Sequence, residues 1–336
     1  MATTSSILFG RKPRDAPPQP PAYAVPMINS EMTGREWAVL LFLAVVWGGA
    51  FLFIGVAVRH IEPLTYVWLR LTIAAGAMWL FLRLTGGRLG LPREVWGTIL
   101  LLALLNNALP FTLFGWGQTH IASGLASILN ATTPIWGVLV AHLFTADERM
   151  TPRKIAGVLL GFGGVATMIG PALLADVGIN ALAQLACIAA SMSYALAAVW
   201  ARRFRRMGLS PMSVTTGQLT AGALMMLPMA MLVDQPWAQP LPPLSAWAAI
   251  ATLAVLCTAV GYVLYFRLID SAGATNALLV TLLVPPFAIL FGSLFLGEVL
   301  APQDFAGLAL IALGLAAIDG RLLRKLRLYQ AVTSPR

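Results

Sequence analysis

Inside the apolar run PLTYVWLRLTIAAGAMWLFL, residues 63–82, stands a single cation, Arg70. Polar side chains recur at helical spacing in four other apolar runs. One carries Asn106, Asn107, Phe111, Phe114 and Gln118, and a second carries Ser123, Ser127, Asn130 and Pro134. A third holds Gln184, Cys187, Ser191 and Tyr194, and a fourth holds Thr258, Tyr262 and Tyr265. Steps of three and four place such side chains on one face of a helix. Amides, hydroxyls and phenols there donate and accept hydrogen bonds, and a guanidinium pairs with carboxylates or phosphates. That is the chemistry of recognition. Catalysis would need a nucleophile beside a base, paired carboxylates or a metal cluster. The histidines (His60, His120, His142) are scattered, Cys187 and Cys257 sit inside apolar runs, and all thirteen acidic residues fall in tails, loops or span margins. No catalytic residue, metal site or cofactor is expected, and an intramembrane enzyme is disfavoured.

The elements that position these residues follow from composition. Of 336 residues, 59% are hydrophobic and 10% are charged, against roughly 25% charged in an ordinary soluble domain. A bilayer core about 30 Å thick takes about 20 apolar residues per helix. Ten such runs are read, near 37–58, 63–82, 95–117, 121–144, 155–175, 179–201, 211–233, 244–268, 273–296 and 303–320. They are helices and not barrel strands, because apolar residues run on instead of alternating. The expected class is an all-α polytopic membrane protein. The first 34 residues, with RKPRDAPPQPPAYAVP, lack an apolar signal core and read as a disordered tail. The formal charge of +9 does not imply nucleic acid, since the basic residues are dispersed through short loops. With the amino terminus in the cytoplasm, every Lys and Arg lies on the inner side except Arg59, in an outer loop, and Arg70. That bias places both termini inside, in a multi-pass protein of the cytoplasmic (inner) membrane.

An internal repeat appears when 121–170 is laid on 271–320 without a gap. Glu148 meets Glu298, Pro152 meets Pro302, Ala156-Gly157 meets Ala306-Gly307, Gly164 meets Gly314 and Gly170 meets Gly320, with ten of fifty positions identical. Upstream, Pro63 and Arg70 align with Pro211 and Gln218. The chain therefore reads as a tail (1–34), a first five-helix unit (35–175), a second (176–320) and a basic tail (321–336). Five is odd, so the second unit enters the membrane inverted. Inverted repeats mark secondary transporters, with the substrate near midplane between the halves.

The motifs WGGAF (47–51), Arg70 after Pro63, HIASGLASILNATTP (120–134), DERMTPRKIAGVLLGFGGV (147–165), DSAGATNALLVTLLVPP (270–286) and GEVLAPQDFAGLALIALG (297–314) resemble the EamA domain of the drug/metabolite transporter superfamily. The resemblance covers about residues 36–320. It implies a ten-helix basket of two inverted EamA repeats, with helices 1, 3, 4, 6, 8 and 9 around a central cavity and 5 and 10 peripheral. Among prokaryotic members the chain resembles amino-acid exporters of the YddG type.

The candidate substrate-binding residues are Trp47, Asn106, Asn107, Trp116, Gln118, Asn130, Pro134, Ser191, Tyr194, Tyr262, Tyr265 and Pro285. Each has a plainer alternative: small and hydroxylated residues also tie membrane helices together, as Gly157 and Gly161 do in G-x-x-x-G. Pro110, Pro134, Pro285 and Pro286 lie within spans and free carbonyls that a substrate could use, or simply kink their helices. Arg70 sits about 10 Å past Pro63 at a rise of 1.5 Å per residue, where insertion of a charge costs up to about 2.5–3.5 kcal/mol. No carboxylate lies at its depth, which leaves carbonyls, water or an anionic substrate group as partners, or a tie between helices. The expected function is export of small metabolites, most of all amino acids; a lipophilic-cation exporter of the same fold is the alternative. A nucleotide-sugar carrier is disfavoured, since phosphates want several cations. The expected partners are a small-molecule substrate and membrane lipid. The oligomeric state is left open, a monomer being compatible with the sequence.

Overall fold

The structure is a computed structural model and describes residues 32–144, 150–175, 178–277 and 279–319. Residues 1–31 and 320–336, where the tails are expected, and Glu148 lie outside this set. The helical spans are α1 (Gly34–Ala57), α2 (Pro63–Leu84), α3 (Arg93–Gly117), α4 (Ser123–Phe144), α5 (Pro152–Ala175), α6 (Ile179–Arg206), α7 (Pro211–Asp234), α8 (Leu244–Ala272), α9 (Val280–Leu296) and α10 (Pro302–Asp319). No strand occurs among the described residues. Seven spans, α1–α4 and α6–α8, are long and apolar enough to cross a membrane unaided. The 17 residues of α9 and the apolar stretch Pro302–Ile318 of α10 are shorter.

Local chemistry explains where the helices begin. Thr33 and Glu36 form a reciprocal capping box ahead of α1, the Thr33 N–H donating to Glu36 Oε2 at 2.7 Å. The paired prolines of the repeat all prove to be first helical residues: Pro63 and Pro211 open α2 and α7, and Pro152 and Pro302 open α5 and α10. Proline fits that position because its fixed φ is helical and its missing N–H would have had no partner. Large apolar side chains face outward along the bundle, among them Leu159, Leu224, Leu232, Phe295 and Leu313. Such a belt is stable only against lipid.

Packing exposes the inversion directly. A Cβ on Gly157 would lie 2.5 Å from Gly314 O, and one on Gly164 would lie 2.7 Å from Gly307 O. Residue numbers rise along α5 as they fall along α10, so the helices are antiparallel. Gly157 is the repeat mate of Gly307 and Gly164 of Gly314, so the contact is self-complementary, as a twofold axis across the helices requires. Other pairings exchange under the same axis. Helix α1 packs on α8 and α9, matched by α6 on α3 and α4, and α2 on α8 is matched by α7 on α3. One end of the bundle carries the basic loops that follow α2 and α6, together with Arg153 and Lys154 at the start of α5. The other carries the charge-poor loops after α1, α3, α7 and α9.

Candidate functional site

The third helix of each half is not α-helical throughout. Leu104–Ala108 in α3 and Leu253–Val260 in α8 wind as π-helix, at corresponding places in the two repeats. In α3 the cause is readable: Pro110 has no N–H and its ring would clash with the carbonyl one turn back, and the wider π turn relieves both. No proline marks α8, and we have no physical account of its π turn from sequence. Freed carbonyls are taken up by side chains, two across helices and one within α8. Leu105 O accepts from Ser193 Oγ at 2.7 Å, Cys257 O from Trp47 Nε1 at 3.0 Å, and Leu253 O from Thr258 Oγ1 at 2.8 Å.

These π segments position the polar centre. Arg70 is buried, 6% exposed. Its Nη1 donates to Tyr66 Oη at 3.0 Å, its Nε donates to Thr258 Oγ1 at 3.1 Å, and its guanidinium lies 3.6 Å from the centre of the Phe111 ring. The cation therefore rests on a phenol, a hydroxyl and an aromatic face, not on carbonyls. No carboxylate pairs with it among the described residues. A desolvated cation–π contact contributes about 2 kcal/mol, enough to offset most of the insertion cost without neutralising the charge.

One turn toward the basic end lies an amide cluster. Asn106 Nδ2 donates to Gln218 Oε1 (3.2 Å) and to Tyr262 Oη (3.3 Å), and Tyr262 Oη donates to Asn107 Oδ1 (3.4 Å). Asn107 is fully buried, yet its Nδ2 has no protein partner. The two clusters are linked through both helices: Phe111 follows Asn107 by one turn in α3, and Thr258 precedes Tyr262 by one turn in α8. An aromatic wall adjoins them, with Trp47 and Tyr265 at 5.2 Å, Phe51 edge-on to Phe114 at 5.7 Å and Tyr194 stacked on Phe114 at 6.1 Å.

The structure thus gathers Arg70, Asn106, Asn107, Trp47, Tyr262 and Tyr265, with Tyr194 beside them. Other sequence candidates lie elsewhere. Trp116 and Gln118 are at the charge-poor end, where Trp116 packs on His120 at 5.0 Å and both polar atoms of Gln118 lack partners. Asn130 and Pro134 flank a break in α4 at Ala131–Thr132, where Asn130 O accepts from Thr133 Oγ1 at 2.7 Å. Ser191 donates to Leu129 O and Cys187 O, both at 3.1 Å, and so binds α6 to α4. Pro285 is buried within an uninterrupted α9; the irregular stretch there is the short helix Ala274–Ala277 that precedes it. A Cβ on Gly161 would meet Ile135 of α4, while the Gly161 backbone itself lies against Gly314 of α10.

Three participants escaped the sequence reading. Tyr66 is one turn before Arg70, and that spacing was a usable signal. Gln218 is the repeat mate of Arg70 and meets Asn106. Glu298 closes the charge-poor end: its carboxylate accepts from Ser123 N (2.8 Å), Ser123 Oγ (2.7 Å) and Gly124 N (3.2 Å) at the start of α4. Gly297, at φ +66°, ends α9 and turns the chain back, and Gly292 has no Cβ to collide with the carboxylate.

Two antiparallel copies of a five-helix unit, with unneutralised polar groups held between them inside an apolar belt, define a secondary transporter. The model of the EamA-like transporter family matches residues 35–170 and 181–318, and the chain belongs to that family. It is similar to a probable terminal-alkyne amino-acid exporter of Streptantibioticus cattleyicolor, with 28% identity over 302 residues, 88% of this chain and 97% of that one. It also resembles the uncharacterized transporter YoaV of Bacillus subtilis (24% identity, 82% of this chain and 94% of that one) and the uncharacterized inner membrane transporter YedA of Escherichia coli (23%, 84% and 90%). A solved crystal structure shares the fold at a TM-score of 0.61 and 20% identity, covering 86% of this chain and 98% of the other.

Proposed function

We propose that the protein exports small metabolites bearing a carboxylate, amino acids foremost, by alternating access across the cytoplasmic membrane. In this reading the basic end and both termini face the cytoplasm and the charge-poor end faces out. The observation that carries it is Arg70, a buried guanidinium whose described partners, Tyr66, Thr258 and Phe111, are all neutral. A substrate carboxylate supplies the missing counter-charge, at about 1.5–3 kcal/mol for a hydrogen bond to a charged group. The unpaired Asn107 Nδ2 and the Tyr262 phenol serve the substrate's other polar atoms, and Trp47 and Tyr265 offer a surface for its side chain. The name of the Streptantibioticus relative supports the same substrate class. The aromatic wall favours a second reading, a lipophilic-cation exporter, but the charge of Arg70 opposes it.

The test is efflux of labelled amino acids from proteoliposomes. Arg70→Ala should lower it by about tenfold or more, the loss of one charged hydrogen bond, and Arg70→Lys should retain more, since it keeps the charge but not the fork. Equal efflux by all three proteins would remove Arg70 from the site, and flux of a lipophilic cation with none of any amino acid would establish the second reading.

A further inference from the structure

At the charge-poor end, outside the central cluster, lies a cavity of about 400 Å³ lined by Gly55, Arg59, Gln118, Thr119, His120 and Glu298 among others. The volume falls within the range of small-molecule sites. Its chemistry is two-signed. Arg59 is exposed to it from the α1–α2 loop, and the half-buried Glu298 carboxylate faces it from beyond α9. Between them is Gln118, 9% exposed, with both Oε1 and Nε2 buried and unpartnered. An amide left with neither donor nor acceptor satisfied costs about 1–3 kcal/mol per group.

The cavity is aligned with the central site. Along α1, Trp47, Phe51 and Gly55 follow at steps of four, and along α3, Phe114 and Gln118 do the same. The edge-on pair of Phe51 and Phe114, 7% and 3% exposed, therefore lies one turn beneath the cavity and separates it from the Asn106–Asn107 cluster. We infer that this cavity is a second binding site, an exit site for a small zwitterion of the α-amino-acid type. Arg59 holds the carboxylate, Gln118 supplies one donor and one acceptor, and the free lone pair of Glu298 receives the ammonium group. The ammonium then draws on the carboxylate that ties down α4, so that occupancy of the exit site loosens the contact that closes this end.

This rests on the transport reading, and the experiment separates the two. Trp116 packs on His120, which lines the cavity, so its emission reports the site. The full-length protein in lipid nanodiscs is titrated with L-alanine, L-leucine and L-glutamine, with acetate and ethylamine as single-charge probes, and the Trp116→Phe signal is subtracted. At least one amino acid should give a saturable Trp116 response, with the single-charge probes requiring about tenfold higher concentration for the lost second contact. Arg59→Ala should raise half-saturation by a similar factor and Arg59→Lys by less, whereas Arg70→Ala should leave it unchanged. Efflux is measured on the same preparation. Efflux without any Trp116 response, or a response that Arg70→Ala removes and Arg59→Ala does not, overturns the exit site. A response without efflux leaves the exit site standing and sinks the transport reading.

Discussion

At the residue scale, the central cluster is poorer in bonds than its burial allows. Asn107 is fully enclosed and its Nδ2 has no protein partner, a state that costs about 1–3 kcal/mol. Replacement by Leu, of similar volume, removes the unpaired donors and gives up only the long bond from Tyr262. Asn107→Leu should therefore match or exceed the parent in thermal stability while losing most of its efflux, the usual exchange between a strained site and its function. Thermal shift by size-exclusion fluorescence, run beside the efflux assay, checks this. A variant that loses stability and efflux together would make Asn107 a packing residue. The sequence showed that Asn106 and Asn107 needed partners that lipid cannot give. It did not show which of them would be satisfied, because that depends on Tyr262 and Gln218, more than a hundred residues away.

At the element scale, the α5–α10 contact is set by backbone and not by side chains. A Cβ on Gly157 meets Gly314 O, an atom that cannot move without breaking its helix, whereas Gly163 on the same helix has nothing within 4 Å. Gly157→Ala should destabilise the fold by about 1–3 kcal/mol, the range of overpacked sites. Gly163→Ala should be neutral or stabilise by up to about 1 kcal/mol, since Ala is the better helix former. Comparison of the two in detergent unfolding tests the assignment, and equal effects would refute it. The G-x-x-x-G spacing of Gly157 and Gly161 was visible in the sequence, and Gly314 of α10 packs against the backbone of both; that a side chain on Gly161 would also meet Ile135 of α4 was not visible. The π turns were half legible: Pro110 marked an interruption in α3, while the one in α8 leaves no local mark in the sequence.

At the scale of the whole molecule, twofold inversion was readable from the repeat, but a repeat is symmetric and a working transporter cannot be. At the charge-poor end the start of α4 packs on α9 and is held by Glu298 through three hydrogen bonds. The carboxylate also lies at a helix N-terminus, where negative charge is favoured by about 0.3–1 kcal/mol. The residue that would form the mirrored contact at the basic end, Glu148, is outside the described set. Under the alternating access proposed above, the Glu298 contact must break whenever the charge-poor end opens, so the carboxylate biases the balance between the two states. Glu298→Gln keeps the shape, discards the charge and retains at most one good acceptor. A bias reduced by about 1–2 kcal/mol multiplies the population of the open state roughly 5- to 30-fold. Spin labels at Ile121→Cys and Val299→Cys, in a background lacking Cys187 and Cys257, should then show the longer-distance population growing by that factor. An unchanged distance distribution in a folded variant would mean that Glu298 only caps α4, and that the end is closed by the apolar packing of Gly124 against Ile289 and Leu300.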